Sequence, residues 1–336
     1  MVDAQTGALL WFAAGPGGAV TPNLQLTKMT NSIPSAVRVL DLDADGFADR
    51  MYAADTGGRI WRFDVITDSD ASAPGQQVPN ASNLLTGGVL ALLGNADLGT
   101  HPNASTRRFY QSPDVSIVRR RGAAPYVNIA IGSGWRGHPL NTDIQDRFYS
   151  VRDYQPFATL TQADFNSLTP IADGDLEDIT DSVNPIVPDG SPGWKLELRL
   201  PGGFAGEKVL AESRTFDNII FFPTYLPRGA SNADPCAPAG TNRAYAISVD
   251  DGRPEIDRNR DGETTTEDRY APLATTGIAP EFSLLMTKAQ PGQGGGQGGP
   301  LGGRALTCLV GVEVVQGVCT SAGAPVRTYW RQLGAK

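Results

Sequence analysis

Residues 35–64 read Ser35-Ala-Val-Arg-Val-Leu-Asp41-Leu-Asp-Ala-Asp45-Gly-Phe-Ala-Asp49-Arg-Met-Tyr-Ala-Ala54-Asp-Thr-Gly-Gly-Arg59-Ile-Trp-Arg-Phe-Asp64, and this stretch decides the fold. Carboxylates occupy the first, third, fifth and ninth positions of the segment 41–49, with Gly46 directly after the third of them. The alternation lets Asp41, Asp43 and Asp45 converge on one point, while Gly46 supplies a sharp turn. The Phe47 carbonyl adds a neutral oxygen and Asp49 closes the shell, which together describe a calcium loop. A bound Ca2+ would offset like charges that otherwise repel at close range. The alternative is a solvated acidic turn that holds no ion. An EF-hand places its last ligand at the twelfth position of the loop, so a loop that closes at the ninth predicts a site between β-strands and not within a helix-loop-helix pair. The flanks agree. Ser35–Leu40 carries β-branched residues, Arg50–Ala54 leads out to the turn cluster Asp55-Thr-Gly-Gly58, and Arg59–Asp64 alternates in the manner of a half-buried strand.

A second acidic loop follows far downstream. Asp257, Asn259, Asp261, Glu263, Thr265 and Asp268 match the first, third, fifth, seventh, ninth and twelfth positions of an EF-type loop, and Gly262 stands at the sixth. Asp268 replaces the usual terminal glutamate, as in dockerin-like loops, and Arg258 and Arg260 bring opposing charge, so weaker ion binding is expected here than at Asp41–Asp49. A polar excursion between strands is the alternative. A third acidic stretch, Asp173-Gly-Asp-Leu-Glu-Asp178, lacks regular spacing and reads as a solvated loop.

The chain has 336 residues and is 40% hydrophobic, enough for a large core in one large domain or two smaller ones. Its Gly 39 and Pro 25 are scattered as turn punctuation between short β-rich runs, which argues for an all-β fold with many loops. A formal net charge of -8 disfavours nucleic acid or an anionic membrane as partner. Arg119-Arg-Arg121 is the one compact basic run, and its place after Val115–Val118 reads as an exposed hairpin end. No apolar stretch approaches membrane-spanning length, and the first residues have neither the basic flank nor the apolar core of a signal peptide, so an export signal is expected outside this chain. Gly292–Gly299 has no Gly-Lys-Ser/Thr ending and marks 291–303 as a flexible glycine-rich loop.

Cys308 and Cys319 flank a short hairpin-like segment, and a bridge between them suits an extracytoplasmic protein. Closing that loop would contribute on the order of 3 kcal/mol in the loop-entropy model. Cys236 is left over, either free or paired with a cysteine beyond this sequence. His101 and His138 have no ligand spacing to these cysteines, which disfavours zinc.

A faint repeat sets the architecture. Asp3–Trp11, Asp55–Trp61 and Tyr245–Gly252 each join an acidic turn and a glycine to an aromatic or aliphatic strand, and Ile129–Trp135 and Arg147–Asp153 have similar texture. Recurring strand-turn-strand units that cannot bury their faces alone are the mark of propeller blades. A β-propeller is the predicted fold, with a β-sandwich as the alternative.

The same residues carry a family resemblance. Val39–Asp64, with Ile131-Gly-Ser-Gly134 and Asp146–Asp153, resembles the C-terminal β-propeller of PilY-type pilus-tip adhesins. Gly193-Trp194, Gly206-Glu-Lys208, Ile219–Thr224, Asp234-Pro-Cys236 with Arg243-Ala-Tyr245, and Tyr329–Leu333 extend it in order over nearly the whole chain. The resemblance implies a modified propeller region over 1–336 that lacks its first blades and the family's large N-terminal adhesive region. It implies work at or near a type IV pilus tip, on the cell surface or in the periplasm. There, calcium on Asp41, Asp43, Asp45, the Phe47 carbonyl and Asp49 would tune pilus extension, retraction, twitching and adhesion. Minor pilins or other pilus components are the implied partners, with a host or surface receptor as a further one.

Enzyme chemistry finds less footing. Quinoprotein dehydrogenases share the Trp-marked blades and resemble Asp3–Trp11, but no cofactor pocket block follows, so this class is the alternative. Ser133 lies in Gly132-Ser-Gly134 without the outer glycine spacing of a nucleophile elbow, and reads as a tight turn before Trp135. The expectation is a non-catalytic protein.

Overall fold

The computed structural model describes residues 1–66, 84–94, 106–200, 203–228, 240–258, 261–288 and 304–315. Asn259, the loop 291–303, Cys236, Cys319, His101 and Tyr329–Leu333 therefore lie outside the described residues.

The described residues are almost entirely β. A first sheet runs Arg38–Leu40, Arg50–Ala54, Arg59–Val65 and Leu85–Leu92 as an antiparallel meander. A second runs Asp114–Val118, Tyr126–Gly132, Arg147–Asp153 and Gly193–Glu197. A third joins Arg214–Phe216, Ile219–Pro227, Gly240–Ser248 and Tyr270–Leu273, and a fourth joins Phe282–Lys288, Arg304–Val310 and Glu313–Val314. A small parallel pair, Ala13–Ala14 with Leu24–Gln25, precedes them.

Core packing shows how the sheets stack. Trp11, Trp61 and Phe63 fill the space between the N-terminal pair and the first sheet. Tyr52, Ile60, Val127, Ile129 and Tyr149 fill the next interface, and Tyr126, Phe148, Trp194, Phe222 and Tyr245 the one after. Phe221, Ala244, Phe282 and Val310 close the last. Each of the first three sheets is thus buried on two faces by its neighbours in chain order, the arrangement of propeller blades and not of a two-layer sandwich. At the second-to-third interface Phe148 and Phe222 stack with ring centroids 3.8 Å apart, and Tyr245 continues the stack at 4.7 Å.

This stacking corrects one expectation. Arg59–Asp64 is buried throughout and not half-buried. Ile60 faces the second sheet while Trp61 and Phe63 face the N-terminal pair, so the alternation separates two buried faces. The polar members of the strand are tolerated because Arg62 donates to both oxygens of Asp64 and Asp153, a satisfied buried network. Arg119–Arg121 lies at a hairpin end as read, with Arg120 paired to Asp189 and Asp250.

The second sheet departs from a simple meander. Between its third and fourth strands the chain makes an excursion over 154–192. The helix Gln162–Ser167, capped by Thr161 and Asp164, docks on the first sheet, where Phe165 packs on Gly88 and Gln162 bonds to both backbone groups of Gly87. Ile171–Ala172 then adds a parallel strand to the outer edge of the first sheet beside Ala91 and Leu92. Glu177–Asp178 adds one to the outer edge of the second beside Trp194 and Lys195.

Candidate metal centre

The loop 41–49 connects Arg38–Leu40 to Arg50–Ala54, whose register pairs Leu40 with Arg50 directly at the loop base. Asp49 is fixed from both sides, its N–H donating to the Leu40 carbonyl and its carbonyl accepting from Val65 N. Inside the loop, Asp41 Oδ1 accepts from Ala44 N at 2.7 Å and Asp41 Oδ2 from Gly46 N at 2.9 Å. Asp43 Oδ1 accepts from Asp45 N, Asp45 Oδ1 from Phe47 N, and Asp49 Oδ2 from Leu42 N. Gly46 has φ 95° and Ala44 φ 65°, left-handed conformations that wind the chain tightly around the acids.

One oxygen from each of Asp41, Asp43 and Asp49 lies within 4.8 Å of the others. Twice a calcium–oxygen distance of about 2.4 Å spans the same gap. No ion pair links these acids to a basic side chain among the described residues. The hydrogen bond from the Asp45 amide lowers the Asp43 pKa, yet desolvation and the charges of Asp45, Asp49 and Asp41 outweigh it and raise Asp43 above its ordinary value. Like-charged oxygens at this separation, with no cation paired to them among the described residues, are of the type and spacing that could hold a hard cation. Asp45 is not in the converging group, its carboxylate turned to the Phe47 amide, and the Phe47 side chain is 71% exposed.

The second loop repeats the winding with a different ending. Asp257 Oδ2 accepts from Gly262 N and Asp261 Oδ1 from Glu263 N, the same first-to-sixth and fifth-to-seventh bonds as in 41–49, and Gly262 has φ 93°. Asp268, however, is buried and accepts from Arg258 N, Thr265 N and Thr265 Oγ1, capping the short turn Thr266–Arg269. Its carboxylate is turned onto the loop's own backbone, and no three acids of this loop converge among the described residues.

In Asp173–Asp178, read as a solvated loop, Asp175, Glu177 and Asp178 are exposed but Asp173 is not. Asp173 sits between the first two sheets and receives Arg107, Arg147, Tyr149 and Lys195. Burial pushes its carboxyl up, but the hydrogen bond from Arg147, the Arg107 charge and the hydrogen bond from Lys195 prevail and hold it at about 2. Irregular acid spacing hides this role, because every partner lies at least 22 residues away in sequence.

Ser133 is buried and donates to Asp146 Oδ1 at 2.7 Å, in the tight turn expected of it. Burial lifts Asp146 to about 6 in spite of the Ser133 bond and the nearby cations. His138 instead lies against the Trp135 ring at 5.1 Å, so among the described residues no histidine is bonded to Ser133 as a base. Cys308 is disulfide-bonded, and the chain's other two cysteines, Cys236 and Cys319, both fall outside the described residues.

No family model matches the chain. Among curated proteins it is similar to the type IV pilus biogenesis factor PilY1 of Pseudomonas aeruginosa, 24% identical over 261 residues that cover 68% of this chain and 22% of that protein. It is also similar to the PilY1 homolog of Xylella fastidiosa, 24% identical over 303 residues, 83% of this chain and 18% of that one. The chain thus spans about a fifth of the length of these relatives. Among solved structures, the crystal structure of the Pseudomonas aeruginosa PilY1 C-terminal domain superposes with a TM-score of 0.56 at 17% identity, covering 93% of this chain and 65% of that one. In sequence and in fold, the chain is similar to the PilY-type pilus biogenesis factors whose C-terminal propeller its own residues resemble.

Proposed function

We propose that the chain is a non-catalytic, calcium-binding part of type IV pilus biogenesis. The observation that carries this reading is the similarity to PilY1 over 68% of the chain. The convergence of Asp41, Asp43 and Asp49 supports the ion. Residues 1–336 belong to one propeller region. Ca2+ binds Asp41, Asp43 and Asp49, with Asp45 and the Phe47 carbonyl completing the shell. A weaker ion sits among Asp257, Asn259, Asp261, Glu263, Thr265 and Asp268. When bound, calcium supplies a fixed positive centre. Asp41 and Asp49 tie that centre to the two strands at the loop base, which keep the loop's surface in one shape.

The protein works outside the cytoplasm, at the pilus tip, on the cell surface or in the periplasm. There it contacts minor pilins or other pilus components, and a surface receptor, in support of assembly, extension and retraction, twitching and adhesion. The bonded state of Cys308 suits an oxidising compartment. Its partner on this reading is Cys319, and non-reducing peptide mapping tests it; a Cys236–Cys308 pair overturns the assignment.

Calcium titration by calorimetry tests the ion, with binding expected for the native chain and lost in Asp43→Ala and Asp49→Ala. A strain carrying Asp45→Ala and Asp49→Ala in the full-length protein should export it yet change surface piliation or twitching. Wild-type piliation and twitching would remove the regulatory role. Quinone-dependent turnover of an alcohol by the purified chain would move it to the enzyme class.

A further inference from the structure

The excursion 154–192 is gripped by arginines that share one sequence setting. Asp49-Arg50-Met-Tyr52, Asp146-Arg147-Phe-Tyr149 and Asp268-Arg269-Tyr270 each place an arginine directly after an aspartate, at the first residue of a strand or, for Arg269, immediately before it. Arg50 is 2% exposed and donates to the carbonyls of Gln155, Pro156 and Ala158, while its Nε holds Asp64 at 2.7 Å. Arg147 holds Asp173. Arg269, also 2% exposed, donates to the carbonyls of Ile179, Thr180 and Ser182. Three blades thus grip one excursion, in chain order, through its backbone or the half-buried Asp173.

The three grips differ in what stands before the arginine. Asp146 belongs to no acidic loop. Asp268 ends one, but its carboxylate is already turned onto Arg258 N and Thr265 N. Asp49 is the only one of the three whose carboxylate also stands in the converging group with Asp41 and Asp43. Asp49 ends the loop with its carboxylate among the converging acids, and Arg50, the first residue of the strand, reaches the excursion, with one peptide unit between them.

We propose that calcium in the 41–49 loop governs how firmly the first limb of the excursion, residues 154–160, is seated on the first blade, and that Arg50 transmits the effect. Without the ion, the carboxylates of Asp41, Asp43 and Asp49 repel across less than 5 Å. Asp49 is the one among them whose backbone is bonded to Leu40 and Val65 directly before the strand, so relief of that repulsion shifts the start of Arg50–Ala54. Arg50 then loses its simultaneous reach to three carbonyls. The limb loosens at Gln155 and Pro156, where Arg50 is the donor, while Ala158 and Leu160 keep Arg62, Asp64 and Thr86, and Arg147 on Asp173 and Arg269 on 179–182 hold the remainder. What opens is a flap, hinged before Gln162–Ser167, that carries Phe157, 55% exposed, on its outer side. This rests on the calcium reading of the loop.

Hydrogen exchange followed by mass spectrometry on the whole chain, in calcium and in chelator, tests both levels. Chelation should raise exchange in 41–49 and, by about tenfold or more, in 154–160, with 171–182 unchanged. No response in 41–49 overturns the calcium reading itself. A response in 41–49 without one in 154–160, or an equal response in 171–182, overturns the coupling and leaves the calcium reading intact. In Arg50→Lys, a single ammonium cannot span Gln155 to Ala158, so calcium should still protect 41–49 but no longer 154–160. Should Arg50→Lys fail to fold, the native comparison decides alone.

Discussion

The loop Asp41–Asp49 and the stretch around Asp173 are both acidic, and they handle crowded carboxylates in opposite ways. At Asp173 the protein supplies the counter-charge itself: Arg107, Arg147 and Lys195 surround one acid and hold it at about 2. At Asp41, Asp43 and Asp49 three acids share a gap of 4.8 Å with only backbone amides directed at them, and Asp43 is raised above its ordinary value. The first arrangement is finished by the chain alone and serves as structure. On the calcium reading, the second leaves its charge to an ion from outside the chain, and so can respond to it. The loop at Asp257–Asp268 is intermediate, with the same winding but a closing acid already engaged.

The contrast makes its largest prediction at Asp173. Asp173→Ala strands three cations at a blade junction and should cost about 3 kcal/mol in urea unfolding, equally in calcium and in chelator. A loss that calcium restores would break the comparison. Calcium itself comes next. At a hundredfold excess over its Kd the ion should add ~2.7 kcal/mol, an increment that Asp49→Ala abolishes and Asp173→Ala retains in a thermal melt.

Acidification sharpens the difference. Ligand carboxylates must be deprotonated to hold an ion, so the calcium increment should vanish first as pH falls. Asp173 has a folded pKa of about 2, below its unfolded value of about 3.9. Its contribution is therefore full above the unfolded pKa and is lost only as pH falls through the folded one. Melts in calcium and in chelator across the acid range should converge while the Asp173→Ala difference persists. The smallest effect belongs to the second loop, where Asp257→Ala should remove a weaker second calorimetric event and leave the first unchanged. Loss of both events together would mean that the two loops are one coupled site.

What the sequence disclosed follows the range of the interactions. The 41–49 loop and its hairpin are local: spacing, a glycine and β-branched flanks specify them within 30 residues, and the register Arg38–Tyr52 to Leu40–Arg50 follows. The blade architecture was legible from the recurring strand-turn units. The two-sided burial of Arg59–Asp64 was not, because alternation separates two faces without telling whether either meets solvent. Asp173 was misread for a related reason. Its partners Arg107, Arg147 and Lys195 come together only when the excursion returns from the first sheet to the second. A signal was present in the shared Asp-Arg-x-Tyr of 49–52 and 146–149, since both arginines end on the excursion.

The path of the excursion also sets how the molecule bears load. The fourth strand of the second sheet, Gly193–Glu197, is reached only after the chain has lain along the first sheet and returned. A pull that strips that strand must therefore drag Ile171–Ala172 and Gln162–Ser167 off the neighbouring sheet, in the same event. The two sheets cannot rupture one after the other as beads on a string. They form a single mechanical unit joined by the excursion, whose first limb is pinned to the first sheet by Arg50 and Arg62 at Ala158 and by Asp64 and Thr86 at Leu160.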